Sequence, residues 1–258
     1  MLFKNQKYLT YKSVLMVLLL MVTTCKQQQP EQAEQEKLVS GLKTQYDLIN
    51  GGNTGSARVR LRQYMVKHGE TSQPLFLMGL SYHNDKHYSK AIEWFTKSIE
   101  SNGDTYSLVW HFMGWSHYYL GESEASKKSF DTFLQTENGE PDSMFALGLI
   151  AMEGGDSKEA KSIFLLVISS PIANTSIQAK AKARLADVYV ELGDRQHAIV
   201  LYQEAVKQNP NLYEAWHRLA TTLQRVGKNA QASIALHECT LARNRVRPDL
   251  HRTTRFPE

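Results

Sequence analysis

The stretch Trp110–Gly121 reads W-H-F-M-G-W-S-H-Y-Y-L-G and packs five aromatic rings and two histidines into twelve residues. It could be a core helix, a metal site or a surface that holds something. Which it is depends on which side chains share a helix face, and that depends on whether the pattern recurs. It does recur. FLMGLSY (76–82), HFMGWSH (111–117), FALGLIA (145–151), RLADVYV (184–190) and HRLATTL (217–223) align on Gly79, Gly114, Gly148, Ala186 and Ala220, at spacings of 35, 34, 38 and 34 residues.

Twelve residues after each aligned position stands a second small residue: Ala91, Ser126, Ala160, Ala198 and Ala232. Four further on is a bulky one: Phe95, Phe130, Phe164, Tyr202 and Leu236. Turn signals separate the two patterns, as in LGE (120–122), GGD (154–156), LGD (192–194) and VGK (226–228), and Pro210 closes one unit where a helix should stop. A small residue on each of two antiparallel helices lets their backbones approach, and large residues one turn away fill the space beside the crossing.

The period and its residues resemble the tetratricopeptide repeat. Trp110 and Trp216 take that family's first aromatic position, and Tyr82 and Tyr189 its tyrosine position. One more unit precedes these, with Gly52 in its turn, Ala57 and Leu61 on its second helix, and a degenerate first helix (38–50) carrying Gln45 where the small residue belongs. A terminal repeat is expected to be atypical, since one face meets water. The expected fold is therefore all-α, a right-handed α-solenoid of six helix-turn-helix repeats over residues 38–245. Four residues inserted near 171–176 should lengthen the link between the fourth and fifth units.

The ends read differently. Residues 1–24 hold Lys4, Lys7 and Lys12 with no acid, then the apolar run Val14–Val22. Nine apolar residues fall far short of the ~20 that span a bilayer, and the layout is that of a secretory signal. Val22-Thr23-Thr24-Cys25 resembles a bacterial lipobox, with Thr24 where that motif has a smaller residue. The resemblance implies lipidation of Cys25, followed by a polar tether over 25–37. Lys26 after the cysteine implies the outer membrane. Removing the leader lowers the net charge from +4 to about +1, so no global field argues for nucleic acid. The tail 246–258 is arginine-rich, which fits a solvated cap, an acidic partner or anionic headgroups.

The resemblance also implies which side chains line the groove. These are Phe76, Leu80, His83 and Asn84 in the second unit, His111, Trp115, Tyr118 and Tyr119 in the third, and Phe145, Leu149, Met152 and Glu153 in the fourth. Ala183, Asp187, Val190 and Glu191 follow in the fifth, then Glu214, His217, Thr221, Gln224 and Arg225 in the sixth. The candidate partner-binding residues are Phe76, Leu80, His111, Trp115, Tyr118, Tyr119, Phe145 and Leu149, an apolar and aromatic half facing a charged half. Trp110, Met113, Gly114, His117 and Leu120 are expected to face the repeat core. Phe112 and Ser116 are assigned to neither face. The family's carboxylate clamp needs asparagine at a position that holds Leu80, Trp115, Leu149, Asp187 and Thr221, so the expected ligand is an apolar or aromatic segment.

No nucleophile elbow, zincin motif or phosphate loop is present. His83 and His87 stand at a metal-capable spacing without a third ligand nearby in sequence. Cys239 sits where a second helix faces the core and is expected to be a buried, inert thiol. The expectation is a non-enzymatic protein-binding adaptor of the cell envelope, facing the periplasm, with no cofactor, metal or small-molecule substrate. The layout of signal, cysteine, tether and six units resembles the pilotin lipoproteins of type IV pili, which help secretins assemble. The reading from another class is an accessory subunit of an enzyme, or a histidine-metal enzyme itself.

Overall fold

The computed structural model describes residues 40–101 and 106–247. The leader 1–24, Cys25, the tether 25–37 and the tail beyond residue 247 lie outside the described residues. The chain divides into two units, Met1–Thr44 and Gln45–Glu258. In the first, the described residues form a short 3-10 turn (Ser40–Leu42) and the start of α1.

The second unit is built from helices: α1 (Lys43–Asn50), α2 (Thr54–His68), α3 (Ser72–Asn84), α4 (Tyr88–Glu100), α5 (Leu108–Tyr119), α6 (Ser123–Thr136), α7 (Pro141–Glu153), α8 (Ser157–Ser169), α9 (Thr175–Glu191), α10 (Arg195–Gln208), α11 (Tyr213–Arg225) and α12 (Asn229–Val246). From α3 onward they pair in order, odd with even, into five of the helix hairpins read from the period, and α1 and α2 are joined ahead of them by a turn. Each pair also packs on the next.

All six hairpin turns close in the same way. The N–H of Asn53, His87, Glu122, Asp156, Asp194 and Lys228 each donates to the carbonyl five residues back, on Leu48, Tyr82, His117, Ala151, Tyr189 and Leu223, at 2.8–3.0 Å. This six-to-one bond needs a left-handed residue just past the helix. Glycine supplies it in five turns, as at Gly121 (φ 77°), whereas Lys86 adopts φ 62° in the second unit.

Inside the hairpins the aligned small residues meet the bulky ones. A Cβ added to Gly79 would lie 2.4 Å from the ring of Phe95, one on Gly114 2.8 Å from Phe130, and one on Gly148 2.6 Å from Phe164. All three phenylalanines are fully buried, so each ring lies directly on the backbone of its partner helix. Ala186 and Tyr202 replace this pair in the fifth unit, and both are buried.

Three expectations need correction. Leu236 is 39% exposed; Ala232, Ala235 and Cys239 pack inward on α12 in its place. Among the described residues no seventh hairpin follows to cover it. Leu120 is 40% exposed, because it lies in the turn after α5. The four inserted residues do not make a long link. The α8–α9 connection is short (170–174), and α9 starts one turn earlier than its counterparts, with Asn174 capping the N–H of Ile177 at 2.9 Å.

Gly79→Ala should destabilise the fold by about 1–3 kcal/mol, since the buried ring cannot retreat, even though alanine is the better helix former by up to ~1 kcal/mol. Gly55→Ala, in open space on α2, should be neutral or stabilising. Urea unfolding followed by helical circular dichroism distinguishes the two.

Candidate functional site: an aromatic and charged cleft

The first helices of four successive hairpins, α5, α7, α9 and α11, border a cleft of about 460 Å³. Trp115, Tyr118, Tyr119, Phe145 and Leu149 form its aromatic side; Lys180, Arg184, Asp187, Glu214 and Arg218 form its charged side. Five of the eight candidate residues are thus brought together.

The rings are held by bonds to the next hairpin. The Trp115 indole donates to Asp142 at 2.9 Å, from α5 to the first turn of α7. The Tyr118 hydroxyl donates to Glu153 at the end of α7. Burial and then this carboxylate raise the Tyr118 pKa, keeping the hydroxyl a donor. Tyr119, 52% exposed, stacks between Trp115 at 5.8 Å and Tyr88 at 4.8 Å. Phe145 and Leu149 are only 6% exposed and form the apolar floor. Trp115 and Tyr118 are pinned by their polar ends, so the side chains are already ordered and cost a ligand little ordering entropy.

The other three candidates lie elsewhere. Phe76 is 1% and Leu80 3% exposed, so both are core residues. Phe76 packs on Phe95, Tyr106 and Phe112, because α5 and its approach cover this part of α3. His111 is nearly enclosed; its Nδ1 lies 2.7 Å from Ser143 Oγ, and Glu140 and Asp142 stand close. Burial lowers the His111 pKa, against the pull of those two acids, and raises that of Asp142.

Phe112 and Ser116 turn out to belong to the seam between hairpins. Ser116 is fully buried and its Oγ lies 2.9 Å from His83 Nδ1. His83 also packs against Tyr88 and Phe112. Burial, with a smaller contribution from His111, lowers the His83 pKa to about 4. His87 instead precedes α4 as its N-cap residue. Among the described residues no group of three or more His, Cys, Asp or Glu is placed to hold a metal ion. Cys239 is buried, with its Sγ 3.2 Å from the carbonyl of Tyr213.

The charged side holds residues that the groove positions did not include: Lys180, Arg184 and Arg218. Asp187, 8% exposed, accepts from Arg184 at 3.2 Å, from Arg218 and from the Tyr202 hydroxyl. Burial works against the charge on Arg218, but the bond to Asp187 outweighs it and the pKa rises. Burial and Asp187 both raise the pKa of Tyr202. The signal for these arginines was the recurrence of Arg at one repeat position, two residues before Ala186 and Ala220.

Residues 72–105 and 179–222 each match a family model described as tetratricopeptide repeat. The chain carries tetratricopeptide repeats. Solved structures of the same fold agree. Pseudomonas aeruginosa PilF superposes with a TM-score of 0.65 at 16% identity, over 81% of this chain and 91% of that one. A chain of the APC/C Cut9–Hcn1 hetero-tetramer gives 0.66 at 18% identity over 78% of this chain, which spans only 39% of that one. YrrB, described as a TPR protein with an unusual peptide-binding site, gives 0.52 at 14% identity, over 74% and 96%. None of the curated proteins compared with it matches the chain in sequence. The likeness shows an all-α repeat fold, and repeats of this type are protein-interaction scaffolds.

The His83 shift has a stability consequence. A histidine whose folded pKa lies below its unfolded 6.5 keeps its contribution above pH 6.5 and loses it as pH falls toward 4. Compared with His83→Gln, the wild-type chain should lose up to about 3 kcal/mol of stability between pH 7 and pH 4. Paired urea titrations across that range measure the difference.

Proposed function

We propose that the chain is a non-enzymatic adaptor of the bacterial cell envelope that holds an apolar or aromatic segment of a protein partner in the α5–α11 cleft. The observation that carries this reading is the aromatic side of the cleft. Trp115, Tyr118 and Tyr119 are anchored by Asp142, Glu153 and ring stacking and line the cleft above a floor of Phe145 and Leu149. Rigid aromatic residues with a polar handle and few rotatable bonds are those most enriched at binding hot spots.

The envelope placement draws on the sequence. The basic start, the short apolar run and the cysteine at 25 support export and lipidation, with the polar stretch 25–37 as a tether that lets the repeats reach a partner away from the lipid surface. The layout of signal, cysteine, tether and six units supports a finer reading, an assembly factor for an outer-membrane secretin of the pilotin kind. In that case the held segment would belong to a subunit awaiting assembly.

Trp115→Ala combined with Tyr119→Ala should reduce partner co-purification at least ~30-fold, the loss of about 2 kcal/mol or more expected of a hot-spot pair. Helical circular dichroism should barely change, because Tyr119 is exposed. Full partner recovery by a folded double variant would refute the groove assignment. For the anchor, Cys25→Ala should move the protein from the membrane fraction to the soluble periplasmic fraction; unchanged fractionation would point to a retained signal segment.

A further inference from the structure

The exposed side of α2 carries a charge pattern that the cleft does not use. Over its 15 residues this helix holds Arg58, Arg60, Arg62 and Lys67 and no acid. Outside the leader the chain sums to about +1, and α2 alone carries +4, so the remainder sums to about −3. The helix is thus a local basic surface on a chain whose remainder is acidic. Arg58 is committed: it pairs with Asp85 at 2.7 Å and lies over the ring of Tyr82. Arg60, Arg62 and Lys67 are exposed, and among the described residues none of them forms an ion pair. The acids nearest in sequence, Asp47 and Glu70, stand beyond the two ends of the helix.

Apolar side chains stand among these cations. Val66 is 91% exposed, more than any other large hydrophobic residue described, and Val59 is 52% exposed. The two lie two turns apart on one side of the helix, with Gln63 beside them. Arg62 falls on one flank of this stripe, and Arg60 and Lys67 fall on the other. Thr54, Ala57, Leu61 and Met65 bury the opposite side. An acidic polypeptide could engage the cations and leave the valines in water. An anionic phospholipid surface uses both. Its phosphates meet the arginines and the lysine, whose long stems let their charges stay at headgroup level while the valines enter the boundary beneath.

We propose that the exposed face of α2 docks on a bilayer surface containing anionic phospholipid, through Arg60, Arg62 and Lys67 with Val59 and Val66 between them. This rests on the anchoring part of the reading above. Thr54 follows Cys25 by 29 residues. A lipid on that cysteine would hold α2 near the bilayer at high effective concentration, where a contact too weak to act alone becomes occupied. The residues that line the α5–α11 cleft all lie beyond α2, so docking leaves the cleft free for a partner.

The test places an environment-sensitive fluorescent amino acid at position 66 of the full chain and, in a second sample, at position 200, where Val200 is 52% exposed on α10. Each sample is reconstituted with vesicles of phosphatidylcholine alone, or with phosphatidylglycerol replacing roughly a quarter of it, and recovered by flotation. Emission from position 66 should shift to the blue on the anionic vesicles only, and the shift should fade as salt is raised. Position 200 should not respond. Arg60→Gln, Arg62→Gln and Lys67→Gln combined should remove about nine-tenths of the shift. Flotation with neutral vesicles and helical circular dichroism should stay unchanged in that variant, since all three side chains are exposed. Flotation with both kinds of vesicle and no shift would overturn the docking surface and leave the anchor standing. A shift kept by the triple variant, or equalled at position 200, would also overturn the docking surface. A shift on soluble polyglutamate but not on vesicles would overturn it in favour of an acidic protein. A shift on anionic vesicles without flotation on neutral ones would support docking and sink the anchor. Flotation with neither would overturn both.

Discussion

A phenylalanine ring lying on the bare backbone of a glycine is the contact on which the rest of this molecule depends. It occurs in three consecutive hairpins, Phe95 on Gly79, Phe130 on Gly114 and Phe164 on Gly148, with room for no Cβ between ring and helix. The contact sets the separation of the two helices and their rotation about their axes. Once Gly114 is turned toward Phe130, the 3.6-residue period turns Trp115 and Tyr119 away by ~100° and ~140°, while Tyr118, one turn on from Gly114, stays near its face and reaches Glu153 through its long side chain. The cleft is in this sense a by-product of the hairpin core. The same helix that buries Gly114 and Ser116 presents Trp115, Tyr118 and Tyr119 to the cleft.

What lies beyond differs from one hairpin to the next, and this is where function enters. Around α3 the following hairpin closes over Phe76 and Leu80, and the rings there join the core. Around α5 the following hairpin supplies carboxylates. Asp142 and Glu153 hold Trp115 and Tyr118 by their polar ends beside the cleft. Further along, Asp187 gathers two arginines. The added turn at the start of α9, opened by Asn174, precedes Lys180 and Arg184 on that helix. Equivalent repeat positions thus serve as core, anchored aromatic surface and charged surface in succession.

The sequence made the hairpin register legible because that register rests on residues of extreme size, glycine against phenylalanine, at an unvarying spacing. Five of the eight candidate groove residues could be placed together for the same reason. Phe76 and Leu80 were misjudged because repeat position says which way a side chain leaves its helix and nothing about whether the next hairpin covers it. Phe112 and Ser116 resisted assignment because they face the seam between hairpins, which the period alone does not describe. Leu236 kept the aligned position but not the burial, since burial there requires a following hairpin. Arg184 and Arg218 escaped notice because their role comes from sharing Asp187 across two hairpins, and no single-repeat pattern carries such a pairing.

The account stands or falls on whether the open side of α5 touches a partner. A photoreactive amino acid placed at Tyr119 in cells, with a matched one at Val66, 91% exposed on α2 away from the cleft, tests this directly. The account predicts one defined adduct from position 119, lost when Trp115 is also replaced by alanine, and no such adduct from position 66. The same adduct from position 66 with none from position 119 would place the contact surface on another face and contradict it.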